Sequence, residues 1–301
     1  MIKSICLKAR KGIRNKNYFR TNKIFSQMKD ILLSERKTGL SSGNPQNKAM
    51  KHFKSIQPLL SYTRRAVDTY DMIKQGEKIA VGVSGGKDSM ALLCALKALS
   101  IFHPSNFSVV AITLDMGFPN ADLSPIVKLC EDIEVELHIV KTDIYDIVFN
   151  YRKEKCPCSL CSKLRRGALH EAALSHGCRT IALGHHFDDA VETFMMNLFN
   201  EGRIGCFSPI SYLDRKDITL IRPFIYMPEK VVTSFINREG IEITKKVCPE
   251  DGHTDREKIK QLLYTLEKED KGLKQRIFGA MERGKIDGFK VSEYSRGKKK
   301  D

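Results

Sequence analysis

An α/β fold, with a parallel sheet covered by helices on both faces, is what this chain predicts, and three observations carry the expectation. The apolar run Ile79 to Val83 is followed by the glycine-rich turn Ser84-Gly85-Gly86-Lys87-Asp88-Ser89 and then by a helical pattern from Met90 to Leu99. After it, short β-branched runs alternate with helical stretches, which is the pattern of βαβ units. At 301 residues and 42% hydrophobic the chain is long enough to bury one substantial core.

The elements follow in order. Residues Met1 to Lys48 carry twelve Lys or Arg against Asp30 and Glu35, a net +10 of the chain's +15. With low apolar content and the run Gly39-Leu40-Ser41-Ser42-Gly43-Asn44-Pro45, residues 1–49 are expected to be a flexible basic arm. Such an arm suits an RNA contact, an organelle transit peptide, or upstream sequence ahead of a natural start at Met50. From Met50 to Lys74, Ile56, Leu59, Leu60, Tyr62, Val67 and Met72 recur at near-helical spacing, predicting a basic amphipathic helix. Strands are predicted at Phe107 to Leu114, Val135 to Val140 and Thr180 to Leu183. Helices are predicted at Leu123 to Ile133, Ser159 to Ser175, Asp188 to Phe199, Glu229 to Arg238 and Arg256 to Glu269. Residues 50–225 are read as the nucleotide-binding domain, 226–290 as a C-terminal helical part and 291–301 as a disordered tail.

In a parallel sheet, ligands bind beyond the carboxyl ends of the strands, where Ser84, Asp115 and Gly184-His185-His186 all fall. Gly85 and Gly86 let backbone N–H groups approach an anion, and the following helix points its positive end at the same place. Ser84, Lys87 and Ser89 add hydroxyls and a cation, and Asp88 could hold a metal ion that bridges phosphate oxygens. The spacing is shorter than that of a Walker A loop. In Gly184-His185-His186-Phe187-Asp188-Asp189, Asp188 is expected to cap the helix that follows, a role compatible with catalysis.

Nine cysteines, an odd number unevenly spread, point to a reducing, cytoplasmic compartment rather than a disulfide framework. No apolar run approaches the roughly 20 residues that span a bilayer. Cys156-Pro157-Cys158-Ser159-Leu160-Cys161 opens a helix and is followed by Lys163, Arg165 and Arg166, a setting that stabilises thiolates. Cys158 and Cys161 could share a metal or cluster, or form a redox disulfide, and Cys156 could take the place of Cys158. Cys248 is the later candidate, and three cysteines suit a cluster with one iron open to a ligand from outside the protein. Cys94, Cys130, Cys178 and Cys206 read as packed apolar side chains.

The Ser-Gly-Gly-Lys-Asp-Ser loop resembles the PP-loop of ATP pyrophosphatases. Together with Leu114-Asp115, Cys158-Ser-Leu-Cys161, Leu164-Arg165-Arg166-Gly167, Gly184-His-His-Phe-Asp-Asp189, Arg222-Pro223 and Cys248, it is similar to the tRNA 2-thiocytidine synthetase group of the TtcA/TtuA family, over about Leu59 to Gly284. That resemblance implies a Rossmann-like sheet of the adenine nucleotide alpha hydrolase type with C-terminal helices. It implies ATP and magnesium at Ser84 to Ser89, with Asp115 and Gly184 lining the adenosine pocket. It further implies a 4Fe-4S cluster on Cys158, Cys161 and Cys248, and Lys87, Arg165, Asp188 and Asp189 as catalytic groups.

The activity implied is adenylation of an anticodon-loop cytidine (position 32 in the family) at its C2 oxygen, then replacement of that oxygen by sulfur delivered on the cluster. The partners implied are tRNA and a sulfur donor, either a cysteine desulfurase or free sulfide, with the chain a homodimer. The chain departs from the group in its shorter Asp115-Met116-Gly117-Phe118-Pro119 loop, and in Cys248-Pro249-Glu250-Asp251 where a Cys-Asn-Leu-Cys is common. It lacks the terminal CxxC zinc fingers of the 2-thiouridine branch. The other readings weighed are a 2-thiouridine-forming enzyme, a lysidine synthetase-like or amide-forming ligase with structural cysteines, and a non-catalytic RNA-binding protein that keeps a nucleotide switch.

Overall fold

In the computed structural model, residues 53–152, 157–245, 247–248 and 255–292 are described. The expected basic arm at 1–49, the tail beyond Ser292 and Cys156 lie outside them.

The described chain runs α1 (Gln57–Tyr70), β1 (Lys78–Gly82), α2 (Lys87–Ser100), β2 (Ser108–Asp115), α3 (Ser124–Asp132), β3 (Glu136–Lys141) and a π-helical turn (Asp146–Arg152). It continues with α4 (Pro157–Ser175), β4 (Thr180–Ala182), α5 (Phe187–Glu201), β5 (Ile210–Leu213), β6 (Ile218–Ile221), α6 (Glu229–Glu239), α7 (Asp255–Glu269) and α8 (Leu273–Arg283). The sheet has six strands in the order β3-β2-β1-β4-β6-β5, all parallel except for β5, which pairs antiparallel with β6.

Alternation along the strands builds two cores. Ile79, Val81 and Val83 face the larger core, shared with α1, α2 and α6, while Ala80, Val110, Ile112 and Ile181 face the smaller one, covered by Ala172 and Ala173 of α4. Helix α2 is buried along almost its whole length, from Met90 to Leu96 and at Leu99. That explains why its sequence is apolar all round rather than striped.

Strand order reverses between β1 and β4: the chain moves outward from β1 through β2 to β3, then resumes on the other side with β4. A crevice opens at such a switch point, beyond the carboxyl ends of the two strands. The glycine-rich loop leaves β1 on one side of it and the Gly184-to-Asp189 segment leaves β4 on the other.

The predicted strands and helices all occur, with ends displaced by up to three residues, the helix read from Met90 starting at Lys87, except that the N-terminal helix is confined to Gln57–Tyr70 among the described residues. The β5–β6 hairpin and α8 are additional to the elements read from the sequence.

Candidate active site

Gly85 has φ +78°, a left-handed conformation that a side chain would strain. A Cβ there would also sit 2.1 Å from the Thr244 hydroxyl, so the loop is closed from outside by the segment after α6. Thr244 N–H donates to the Gly85 carbonyl at 3.0 Å. Inside the loop, the Ser84 N–H donates to Ser89 Oγ (3.1 Å) and Ser89 Oγ to the Gly86 carbonyl (3.0 Å). Gly86 caps α2 in an extended conformation, which leaves the first-turn amides of the helix without intrahelical acceptors. Free N–H groups at the start of a helix are suited to an anion.

Gly184 is small for a packing reason. A Cβ on it would lie 3.1–3.2 Å from backbone atoms of Asp88 and Ser89, so β4 meets the start of α2 nearly backbone to backbone. The Asp115 carboxylate, at the end of β2, accepts from Gly117 N–H at 3.1 Å and shapes the short turn after it.

Lys87 Nζ lies 2.9 Å from the Asp88 carboxylate and 3.0 Å from Glu229 Oε1 at the start of α6. Lys260 of α7 holds the other oxygen of Glu229 at 3.0 Å. Burial alone would raise the Glu229 carboxyl, but hydrogen bonds and charge from Lys87 and Lys260 outweigh it and hold the group down at about 2. Burial would likewise lower Lys87, but Asp88 and Glu229 raise it, so the lysine is firmly cationic.

Asp188 does not cap its own helix. The N-cap of α5 is His186, whose ring nitrogen accepts from Asp189 N–H (3.3 Å) while the Asp189 carboxylate accepts from His186 N–H (2.9 Å), a reciprocal capping box. The chain is still extended at His186 (φ −116°), so the helix starts two residues earlier than the acidic pair suggests. Asp188, free of that duty, accepts from Glu229 N–H at 2.8 Å and so caps α6 across the cleft, while its other oxygen takes Lys274 of α8 at 2.8 Å. Asp189 Oδ1 has Arg256 of α7 at 3.6 Å. One turn on, Glu192 is 3% exposed, and burial followed by the charge of Asp189 pushes it up to about 7 against Lys260, Arg256 and Lys274.

The PP-loop domain family matches residues 69–266. The chain belongs to the PP-loop family. It is 36% identical over 220 residues, 72% of this chain and 86% of the other, to a tRNA-cytidine(32) 2-sulfurtransferase of Geobacter metallireducens. It is 36% identical over 234 residues, 77% of this chain and 78% of the other, to one of Teredinibacter turnerae. Among solved structures it is similar to the U34-tRNA thiolase NcsA from Methanococcus maripaludis with its [4Fe-4S] cluster. That match has 25% identity and TM-score 0.64, and covers 86% of this chain and 92% of that one.

The PP-loop residues Ser84 to Ser89, Gly184, Asp188 and Asp189 thus gather around the switch point. The thiols lie at the start of α4 and just before α7. Cys158 is exposed and Cys161 half-buried, both free, three residues apart on one helix face. Burial raises the Cys161 thiol, Arg165 pulls it back down, and Cys248 and Cys158 push it up, so all three neighbours lie within electrostatic reach of its sulfur. Among the described residues no three Cys, His, Asp or Glu side chains close to metal-binding distance. The donor set itself, three free thiols with a guanidinium beside them and none in a disulfide, fits a thiolate-held cluster. Cys94, Cys130 and Cys178 are buried as expected, and Cys206 donates its S–H to the Ala190 carbonyl.

Glu229, Thr244, Arg256, Lys260 and Lys274 are the site residues that the sequence did not single out. None belongs to a local motif; each reaches the PP-loop side from a helix or segment more than a hundred residues after Lys87 or on the far side of the acidic pair. No helix among the described residues is long and apolar enough to cross a membrane.

Proposed function

We propose that this PP-loop protein is a cytoplasmic tRNA sulfurtransferase that activates C2 of cytidine 32 with ATP and exchanges its oxygen for sulfur. The observation that supports it most directly is the loop after β1, whose first-turn amides and Lys87 make an anion site at the switch point, in a chain 36% identical to tRNA-cytidine(32) 2-sulfurtransferases. ATP lies with its phosphates on Ser84 to Ser89 and its adenosine toward Asp115 and Gly184.

In this reading Lys87 and the loop amides offset charge that develops on the pyrophosphate as the α phosphate passes to the C2 oxygen, so catalysis is largely positioning and electrostatics. Asp88 offers a carboxylate to magnesium once ATP draws Lys87 away from it. Asp189, held by its capping box and Arg256, orients the base, and Asp188 keeps α6 and Lys274 against the phosphate side. Cys158, Cys161 and Cys248 hold the cluster, with Arg165 on Cys161 favouring its thiolate. These three cysteines would hold a 4Fe-4S cluster, whose chemistry there would be to carry the sulfur for the exchange. Sulfur comes from a cysteine desulfurase or free sulfide, and the working unit is a homodimer.

The test is nucleoside mass spectrometry of tRNA from a deletion strain, paired with RNA-dependent AMP release by anaerobically reconstituted protein. Loss of 2-thiocytidine in the strain and AMP release with unmodified tRNA are expected. The similarity to a U34-tRNA thiolase favours one second reading, and loss of 2-thiouridine instead of 2-thiocytidine would establish it.

A further inference from the structure

Two polar atoms at the carboxyl edge of the sheet are buried without a hydrogen-bond partner and lie around one aromatic ring. Nδ1 of His185, three residues beyond the end of β4, is one; Nε of Arg222, the residue after β6, is the other. The His185 ring meets Phe207 at 5.0 Å between centroids, and the Arg222 guanidinium lies 4.9 Å from the centroid of the same Phe207. Arg222 is 7% exposed and is fixed through its other arm, Nη1 donating to the Ser208 carbonyl (2.5 Å) and to Ser211 Oγ (3.3 Å). Its Nε–H is therefore held in place and left over. β4 and β6 are adjacent parallel strands, so the two residues leave the same edge of the sheet side by side. Gly184, directly before His185, packs on the start of α2, and His186, directly after it, lies 3.7 Å from Asp88. The cluster is thus next to the PP-loop, on the side away from Asp115.

A buried donor without a partner is uncommon and calls for one, a water or a ligand atom. Here the donor is a guanidinium N–H, and an imidazole shares the same Phe207 wall within electrostatic reach of it. Burial, and next the charge of Arg222, hold His185 down at about 4, so the ring is neutral at physiological pH and keeps one nitrogen as an acceptor. A donor beside an acceptor, walled by a ring, matches a planar heterocycle with an acceptor beside a donor. On the Watson–Crick edge of cytosine these are N3 and the exocyclic amine; uracil presents the reverse, N3–H and O4.

We propose that Arg222 and His185 read the target base as cytosine: Arg222 Nε–H donates to N3, His185 Nδ1 accepts from the N4 amine, and Phe207 forms the wall beside the ring. The pairing leaves the C2 oxygen free to meet ATP. It requires the nucleotide to be splayed out of its loop, as sequence-specific RNA readers commonly do. The inference rests on the tRNA-cytidine reading above and adds to it the residues that set base specificity.

The experiment measures RNA-dependent AMP release by the reconstituted full chain on one tRNA transcript whose nucleotide 32 is cytidine, uridine, 2-pyrimidinone riboside (no amine) or 3-deazacytidine (no N3 acceptor). With wild-type protein each replacement should lower kcat/KM by about tenfold or more. In His185→Leu the penalty for the missing amine should vanish, the cytidine to 2-pyrimidinone ratio falling to about one, while the 3-deaza penalty persists. A purely structural role for His185 would lower all four rates together and leave the ratios unmoved. Arg222→Gln also removes the contact to Ser208, so the wild-type analogue series decides the N3 contact without it. Equal rates on cytidine and either analogue, or full discrimination retained in His185→Leu, would overturn the proposal while leaving tRNA adenylation standing. Absence of AMP release with every transcript would take down the enzymatic reading and this inference together.

Discussion

Lys87 is shared between two carboxylates, and its neighbours make opposite demands on it when ATP binds. Removing it leaves the loop amides without the loop's own lysine, so Lys87→Ala should cut RNA-dependent AMP release by about a hundredfold or more. Iron content should stay unchanged, because no thiol among the described residues touches Lys87; a rate near wild type would refute its role. Glu229 competes with phosphate for the same amine and also steadies it through Lys260. Glu229→Gln should therefore loosen the lysine, raising KM for ATP more than it lowers kcat, which steady-state kinetics at saturating tRNA would read. The phosphate loop was legible from sequence because six contiguous residues carry it. Glu229 was not, since its partnership with Lys87 depends on α6 packing beside α2, a tertiary contact with no local signature.

At the scale of elements, the segment between α6 and α7 joins the two halves of the site. Thr244 bonds the PP-loop at Gly85, and Cys248 stands four residues later beside Cys161. Replacing Cys158, Cys161 or Cys248 by Ala should lose the cluster on anaerobic reconstitution, with iron and sulfide analysis as the measure. Full iron occupancy in Cys248→Ala would break the three-ligand assignment. Gly85→Ala should reduce ATP binding without unfolding the chain, because its left-handed angle and its overlap with Thr244 both strain the loop; calorimetric titration with a nonhydrolysable ATP analogue would show it. The parallel strands were legible because they are continuous apolar runs between helices. β5 and β6 carry no such signal because each is four residues long, with Ser211, Tyr212 and Thr219 among them, and the turn between them is the charged Asp214-Arg215-Lys216-Asp217. α8 is amphipathic but short, and Gly279 in its middle lowers its helical propensity.

Across the whole molecule, α7 and α8 pack on α5 and bring Arg256, Lys260 and Lys274 over the acidic residues of that helix. Glu192 beneath them has its carboxyl raised from the usual range to about 7. A carboxyl raised on folding binds its proton more tightly in the folded state, so its contribution is fully present below its unfolded pKa and is lost as pH rises through about 7. The loss is on the order of 3 kcal/mol. Glu192→Gln, which keeps the neutral shape, should therefore raise the melting temperature at pH 8 and change it little at pH 4.5; an equal shift at both values would refute the assignment. The same geometry has a consequence for synthesis. A nascent chain that has emerged only as far as Gly240 already holds the six strands of the described residues, the PP-loop and Glu229, but not Arg256, Lys260 or Lys274, which steady the acidic side. Such a chain can build its sheet on the ribosome, whereas the acidic side of the site is complete only once α7 and α8 have followed.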